Sequence, residues 1–351
     1  KEESLPECAK RFQNASVKKT VTKGNGKGRQ VTNEDFRGCE LPYTAKEFKN
    51  VRKGMNMTKR PGMSGVSKRA LFHADDKFWN GCCTLMNMSK ETGYVFKQFK
   101  VALIVLLEKI PGDPSLKNRR PIFMLEDLMK AMDKMDEARV QKILNDLGLV
   151  AEGQYGFTKN ASIRIPIFIT TLMIEQSRLT KKELRVLFSD YKRAFDAVDR
   201  CTGKLLAKMR LGTPQLTCMT ERERDEAIEG ELEIAAGPCS KFTGSLMKRY
   251  CGWTQGGARA GQEWKRTIDV NICAHQEPHA GTPATYLDEW GNYVEYHGHW
   301  YADDPTIFCG DTENAEARIS TDELWSKFSG VPIGAEKGHY MINTYDEQGK
   351  L

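Results

Sequence analysis

Two short acidic motifs carry the chemistry that this sequence can do. Tyr301-Ala302-Asp303-Asp304 ends an alternating run, and after Pro305 the extended run Thr306 to Cys309 begins. Two adjacent carboxylates therefore fall at a hairpin tip, where like charges repel and aspartate is a poor strand former. A turn stabilised by aspartate is one reading; a bound cation that relieves the repulsion is the other. Asp190 closes the apolar run Val186-Leu187-Phe188 and precedes Tyr191-Lys192-Arg193-Ala194-Phe195-Asp196. Alone, it reads as the N-cap of the next helix. Paired with the second motif it reads differently. Three carboxylates from two strands can hold two Mg²⁺, and such ions activate a 3′-hydroxyl and bridge a triphosphate for in-line displacement.

The elements that must position these groups follow from periodicity. Residues 66–100 predict helix, with Trp79, Leu85, Met86 and Met88 as buried candidates. Val101 to Leu107 predicts a strand closed by the turn Ile110-Pro111-Gly112-Asp113, and a second short run begins at Arg119-Arg120-Pro121-Ile122. Leu125 to Leu147 and Ile163 to Leu179 carry helical spacing; Leu184 to Ser189 predicts a strand and Leu205 to Met209 a helix. Residues 213–230 are polar and predict a loop or insertion. Strands are expected at Glu231 to Ala236, Ala284 to Glu289, Tyr293 to Trp300 and Gly338 to Asn343, the middle two joined through Gly291-Asn292. Helices are expected at Gly261 to Ile272 and Ala315 to Phe328. The pattern is α+β, with an antiparallel sheet and helices on one face.

Composition bounds the rest. The 351 residues are 40% hydrophobic and carry a net charge of +6, which permits a nucleic-acid partner without demanding one. The lysine- and glycine-rich stretch Lys18 to Gln30 reads as an exposed arm or loop, either touching phosphates or simply solvated. The ten cysteines include no C-x-x-C pair and read as reduced thiols of an intracellular protein. His275, His279, His297 and His299 lack cysteine pairs at zinc-ligand spacing and read as ordinary loop and strand histidines. The longest apolar run, Val101 to Leu107, is too short to span a bilayer. The chain starts at Lys1 without a methionine or an apolar leader; mitochondrion and nucleus both stay open as compartments.

The segment Phe188 to Arg200 resembles the first catalytic motif of reverse transcriptases, closest to the LINE-type, non-LTR retroelements. Tyr301-Ala302-Asp303-Asp304 is similar to their second catalytic motif. Lys59 to Val66 resembles the segment opening the fingers; Lys109 to Pro114 with Arg120-Pro121-Ile122 resembles the fingers motif. Gln154-Tyr155-Gly156-Phe157 matches the next block, Gly252-Trp253-Thr254-Gln255-Gly256 the template and nucleotide motif, and Gly330-Val331-Pro332-Ile333 to Glu336-Lys337 the last palm block. The blocks occur in family order over roughly residues 59–343, which is far more specific than any one of them. The resemblance implies a right-hand polymerase with fingers and palm, divided here as 1–58 (basic extension), 59–183 (fingers-like) and 184–351 (palm-like). It implies that Asp190, Asp303 and Asp304 bind two Mg²⁺. Lys109, Arg120, Tyr191, Phe195, Gln255, Gly256 and Lys337 would meet the deoxynucleoside triphosphate. Among these, Phe195 is the steric gate against a 2′-hydroxyl, Lys109 and Arg120 reach the triphosphate, and Lys337 donates a proton to pyrophosphate or neutralises charge. Packing, turn and solvent roles compete with each of these.

Four departures from the family accompany the match. Gly257 to Arg266 is polar where apolar residues are usual, Pro305 directly follows Asp304, 213–230 is inserted, and the expected architecture lacks a thumb. Three readings therefore stand. The first is an RNA-directed DNA polymerase core. The second is a domesticated, inactive relative serving as a structural subunit in an RNA–protein or other multi-subunit assembly. The third is a binding protein for structured RNA.

Overall fold

The computed structural model describes residues 21–22, 28–29 and, from Asn33 to Tyr345, all but 93, 95, 114, 116–117, 200–201, 203–228, 236–240, 249–251, 253–254, 256, 258, 289, 335 and 337. The chain forms two compact units, each discontinuous: 31–148 with 213–260, and 1–30 with 149–212 and 261–351. The segments expected from the sequence are contiguous: 1–58, 59–183 and 184–351. The helix expected at Leu205 to Met209 lies outside the described residues, as do Gly256 and Lys337.

In the second unit, the basic stretch contains a two-residue ladder, β1 (Val21–Thr22) with β2 (Gly28–Arg29), where an arm or loop was expected. In the first unit, β3 (Val101–Glu108) and β4 (Arg119–Met124) form a hairpin. β6 (Glu229–Ala235) pairs parallel to β3 and antiparallel to β7 (Lys241–Lys248). This sheet is therefore mixed, where an antiparallel one was expected, and β6 begins inside the stretch that reads as a loop. A parallel neighbour can come from far along the chain, so local pattern does not reveal it. Ala102 and Ile104 face α4 (Asp127–Asp146) and pack with Phe123, Leu125 and Met129. On the far side of α4, Met132 and Met135 meet Phe48 of α1 (Ala45–Lys53) and Trp79, Cys83 and Met86 of α3 (Asp76–Thr92). Between them α2 (Lys68–His73) is capped by Ser67. Trp79 and Met86 are buried as expected, but Leu85 and Met88 are about half exposed; they fall on the outer face of α3, on the side away from this core.

The second unit is built on β5 (Leu184–Phe188), whose alternation buries Val186. The sheet order is β10 (Gly298–Tyr301), β11 (Asp304–Cys309), β5, β12 (His339–Asn343), all antiparallel. A separate hairpin, β8 (Ala284–Leu287) with β9 (Tyr293–Tyr296), turns at Asp288 to Asn292, near the expected place. One sheet face packs Val186, Leu184 and Phe308 against Met173 and Ile169 of α5 (Arg164–Thr180). Each such buried side chain stabilises by roughly 1.5–3 kcal/mol. Pro305 lies within β11 without interrupting it: it pairs with Trp300, and its carbonyl accepts the Ser189 N–H at 3.2 Å. Proline lacks only the donor, and this ladder asks it for the acceptor.

A buried polar and aromatic cluster joins α7 (Ala260–His275), α8 (Thr312–Ser329) and the residue after Asp190. Asp322 accepts bonds from Tyr191 Oη (2.9 Å) and Asn271 Nδ2 (2.8 Å), with His275 Nε2 at 3.0 Å. The rings of Trp264, Trp325 and Tyr191 meet edge-on or tilted beside it. His275 is thus a fully buried helix residue, where a loop or strand position was expected. Among the described residues no helix is long and apolar enough to cross a membrane.

Candidate active site

Asp190 stands two residues beyond the end of β5. The β5–β11 register pairs Phe188 with Thr306, and the Ser189 N–H donates to the Pro305 carbonyl beyond it; carried one step further, that register would set Asp190 opposite Asp304. Both line an open pocket of about 480 Å³ with Phe188, Ser189, Pro305, Thr306, Glu336 and His339. The N-cap reading of Asp190 is not realised. The short helix α6 (Ala194–Ala197) is preceded by Arg193 and has no side-chain cap. On the other flank, the Gly334 N–H donates to the Asp190 carbonyl at 2.6 Å, Lys192 N–H donates to Pro332, and Tyr191 bridges Ile333. A Cβ on Gly334 would stand 2.9 Å from the Asp190 carbonyl, so this approach needs glycine. The last palm-like block is thus the strip that flanks Asp190. Lys192 Nζ pairs with Glu336 across it at 2.6 Å.

Tyr301 pairs with Asp304, leaving Ala302 and Asp303 as a two-residue hairpin loop. Ala302 has φ of 61°, at the position where a type II′ hairpin turn takes glycine. An L-residue pays about 1–2 kcal/mol for left-handed backbone. Three groups hold it there. Gln154 Oε1 accepts the Ala302 N–H at 3.2 Å and Gln154 Nε2 faces the Ala302 carbonyl at 3.4 Å. Trp264 Nε1 donates to the same carbonyl at 2.9 Å. Residues 153–155 run parallel beside β10, through Trp300 N–H to Gly153 O (2.7 Å) and Tyr155 N–H to Trp300 O (2.8 Å).

Phe195 is half buried. Its ring lies 5.5 Å from Trp264 and 5.8 Å, edge-on, from Phe157. Tyr191 faces the other way: it is 1% exposed, and burial followed by the Asp322 charge raises its phenol pKa. Its side chain is a core hydrogen-bonding group and does not offer a nucleotide contact. Tyr191→Phe is expected to lower stability by about 1–2 kcal/mol, by leaving Asn271 and Asp322 short of a partner. It should change KM for a deoxynucleotide less than about twofold, since only an interaction with substrate moves KM. Denaturant unfolding and steady-state incorporation check the two halves.

Of the remaining expected residues, Lys109, Arg120 and Gln255 belong to the other unit. Lys109 is exposed, and its N–H closes the β3–β4 turn on Asn118. Arg120 is exposed on β4, opposite Leu107. The Gln255 carbonyl accepts from Phe123 N–H at 2.7 Å, so Gln255 lies against β4 at the residue three positions from Arg120. The polar segment after it has structural work. Arg259 pairs with buried Asp133 at 3.5 Å in this unit. In the other unit Lys265 Nζ bonds Thr158 and Gln262 Nε2 bonds the Phe157 carbonyl. Sequence reasoning missed the positions of Gln154, Gly156 and Trp264 around the hairpin tip, and of Glu336 and His339 in the pocket. The block Gln154 to Phe157 was visible as a motif, but its contacts depend on residues about 150 positions away.

The second unit thus has a central antiparallel sheet with two carboxylates, Asp190 and Asp304, at neighbouring strand ends on one open pocket. The family model for reverse transcriptase (RNA-dependent DNA polymerase) matches residues 110–348, and the chain belongs to that family. Its relatives place it on the LINE-type, non-LTR branch that its motifs resemble. It is 22% identical over 306 residues to the RNA-directed DNA polymerase from mobile element jockey of Drosophila melanogaster, covering 84% of this chain and 31% of the relative. It is 26% identical over 159 residues to the same organism's "Probable RNA-directed DNA polymerase from transposon BS", covering 45% and 17%. The corresponding polymerase of transposon X-element is 28% identical over 165 residues, covering 44% and 18%. The chain thus spans less than a third of the length of these curated relatives.

Proposed function

We propose that this chain is the fingers and palm of an RNA-directed DNA polymerase, with Asp190, Asp303 and Asp304 as its metal-binding carboxylates. The observation that carries the reading is that Asp190, just past the end of β5, and Asp304, the first residue of β11, line one open pocket beside a strained tip that bears Asp303. Like charges placed opposite one another destabilise a sheet; a divalent cation reverses that sign. The donor set fits Mg²⁺, a hard ion that takes one or two carboxylates and fills its shell with water and phosphate oxygens. Among the described residues no three His, Cys, Asp or Glu side chains lie close enough together to form a cage from protein alone. Bound there, Mg²⁺ supplies charge neutralisation for a 3′-oxygen attacking the α-phosphate and for the departing pyrophosphate.

The chain's own residues do the positioning. β5 and β11 set the carboxylate spacing, and Phe195, backed by Trp264, presents a ring where a sugar would lie. Arg120 and Lys109 on the β3–β4 hairpin are exposed cations of the kind that bind phosphate. Nucleic acid, RNA as template, is the partner.

The purified chain is expected to extend a primer annealed to RNA when given deoxynucleotides and Mg²⁺, and to stop when the metal is chelated. No extension at any divalent-ion concentration would overturn the reading. Salt-dependent RNA binding without extension would instead favour the inactive scaffold or the RNA-binding module.

A further inference from the structure

We infer that Gln154 is a positioning residue for the metal site: its carboxamide grips both sides of Ala302 and so holds the hairpin tip in the strained form that aims Asp303 and Asp304. This rests on the polymerase reading above and adds a residue to which no role in the site had been assigned. Four observations converge on it. Gln154 is 5% exposed, so its amide must find partners inside the protein. Its oxygen accepts from Ala302 N–H and also from Gly156 N–H at 2.7 Å, while its nitrogen faces the Ala302 carbonyl. That carbonyl takes a second donor from Trp264, whose ring also backs Phe195. The residue so gripped is an alanine at a φ that favours glycine, and a conformation of this kind persists only where its surroundings over-determine it. Remove the grip, and the tip relaxes toward ordinary backbone and carries the carboxylates with it.

The coupling between Gln154 and the strain at Ala302 is the testable content. Gln154→Met keeps the length of the side chain and removes both hydrogen-bonding groups. It is expected to lower kcat about ten- to a hundredfold, the usual effect of moving a reacting group by an ångström, with KM for deoxynucleotide changed less than about threefold. In the Ala302→Gly background, where left-handed backbone needs no support, the same substitution should cost at least about fivefold less. Hydrogen exchange reads the geometry without catalysis. In Gln154→Met the Ala302 amide should exchange about tenfold faster, while the Ile307 amide in the ladder stays unchanged. If Gln154→Met does not fold, Trp264→Phe removes the other donor to the same carbonyl and enters the same cycle with Ala302→Gly.

An equal loss in both backgrounds, a loss confined to KM, or an unchanged Ala302 exchange rate would overturn the inference. If the wild-type chain extends no primer but the Ala302 exchange responds as expected, the polymerase reading has failed and the grip stands. If the wild type is active and the cycle is additive, the grip has failed and the polymerase stands.

Discussion

Replacing Asp304 by Asn is expected to reduce primer extension by at least about a thousandfold while leaving the protein as stable as before, or more so. The activity estimate follows from the several kcal/mol of transition-state charge that metal ions neutralise, with each 1.36 kcal/mol worth a factor of ten. The stability estimate has the opposite sign. Asp304 is exposed and lines one pocket with Asp190, which the β11–β5 register carried two steps past Phe188 and Thr306 would set opposite it. Neutralising one member removes a like-charge cross-strand pair, worth a few tenths to about 1 kcal/mol in the absence of metal. Added Mg²⁺ should raise the melting temperature of the wild type, because an ion that binds only the folded state stabilises it by mass action. It should do so much less in Asp304→Asn. A scaffold that had lost the reaction would show no such opposition between stability and activity. Thermal melts with and without Mg²⁺, beside primer-extension rates, decide the matter. A variant that keeps more than a tenth of the activity would rule out Asp304 as a metal ligand.

Gly156→Ala is expected to cost about 3 kcal/mol of stability and at least about a hundredfold in extension. The reason is space alone, since Gly156 is not among the residues at positive φ. A Cβ at this position would lie 2.1 Å from the Ala302 nitrogen and 2.7 Å from its Cα. Both are backbone atoms of a hairpin tip already held from two other directions, so neither can rotate away as a side-chain end would. The chain must move the tip or move residues 153–157 off β10, and either one breaks the pairing through Tyr155 and Trp300. Denaturant unfolding gives the stability change and single-turnover incorporation gives the activity change. An alanine variant that retains wild-type rates would show that the tip is softer than its contacts imply.

Much of the second unit is legible in the sequence because its elements are local. The run Leu184 to Ser189, the aspartates that punctuate it and the tip, and the helices at Ile163 and Ala315 are each specified by residues within a few positions of one another. The β3–β4 hairpin is legible for the same reason, since a short turn joins its strands. The parallel pairing of β6 with β3 is not. It joins residues more than a hundred positions apart, and neither strand's own pattern names its neighbour. Leu85 and Met88 show a related limit. Helical spacing identifies α3, but which stripe meets α1 and α4 is settled by their packing, and these two large apolar side chains fall outside it.

Taken alone, the order and chemistry of the residues pointed to the family and to the strands that the acidic motifs punctuate, because metal and phosphate chemistry restricts residue type and strand periodicity restricts spacing. Tertiary structure alone decided which groups serve them. It turned Tyr191 into the core, set Asp304 and Asp190 on one pocket, and brought Gln154, Gly156 and Trp264 around Ala302. Those are contacts between segments far apart in the chain, and they exist only once the sheet has closed and excluded water from between them.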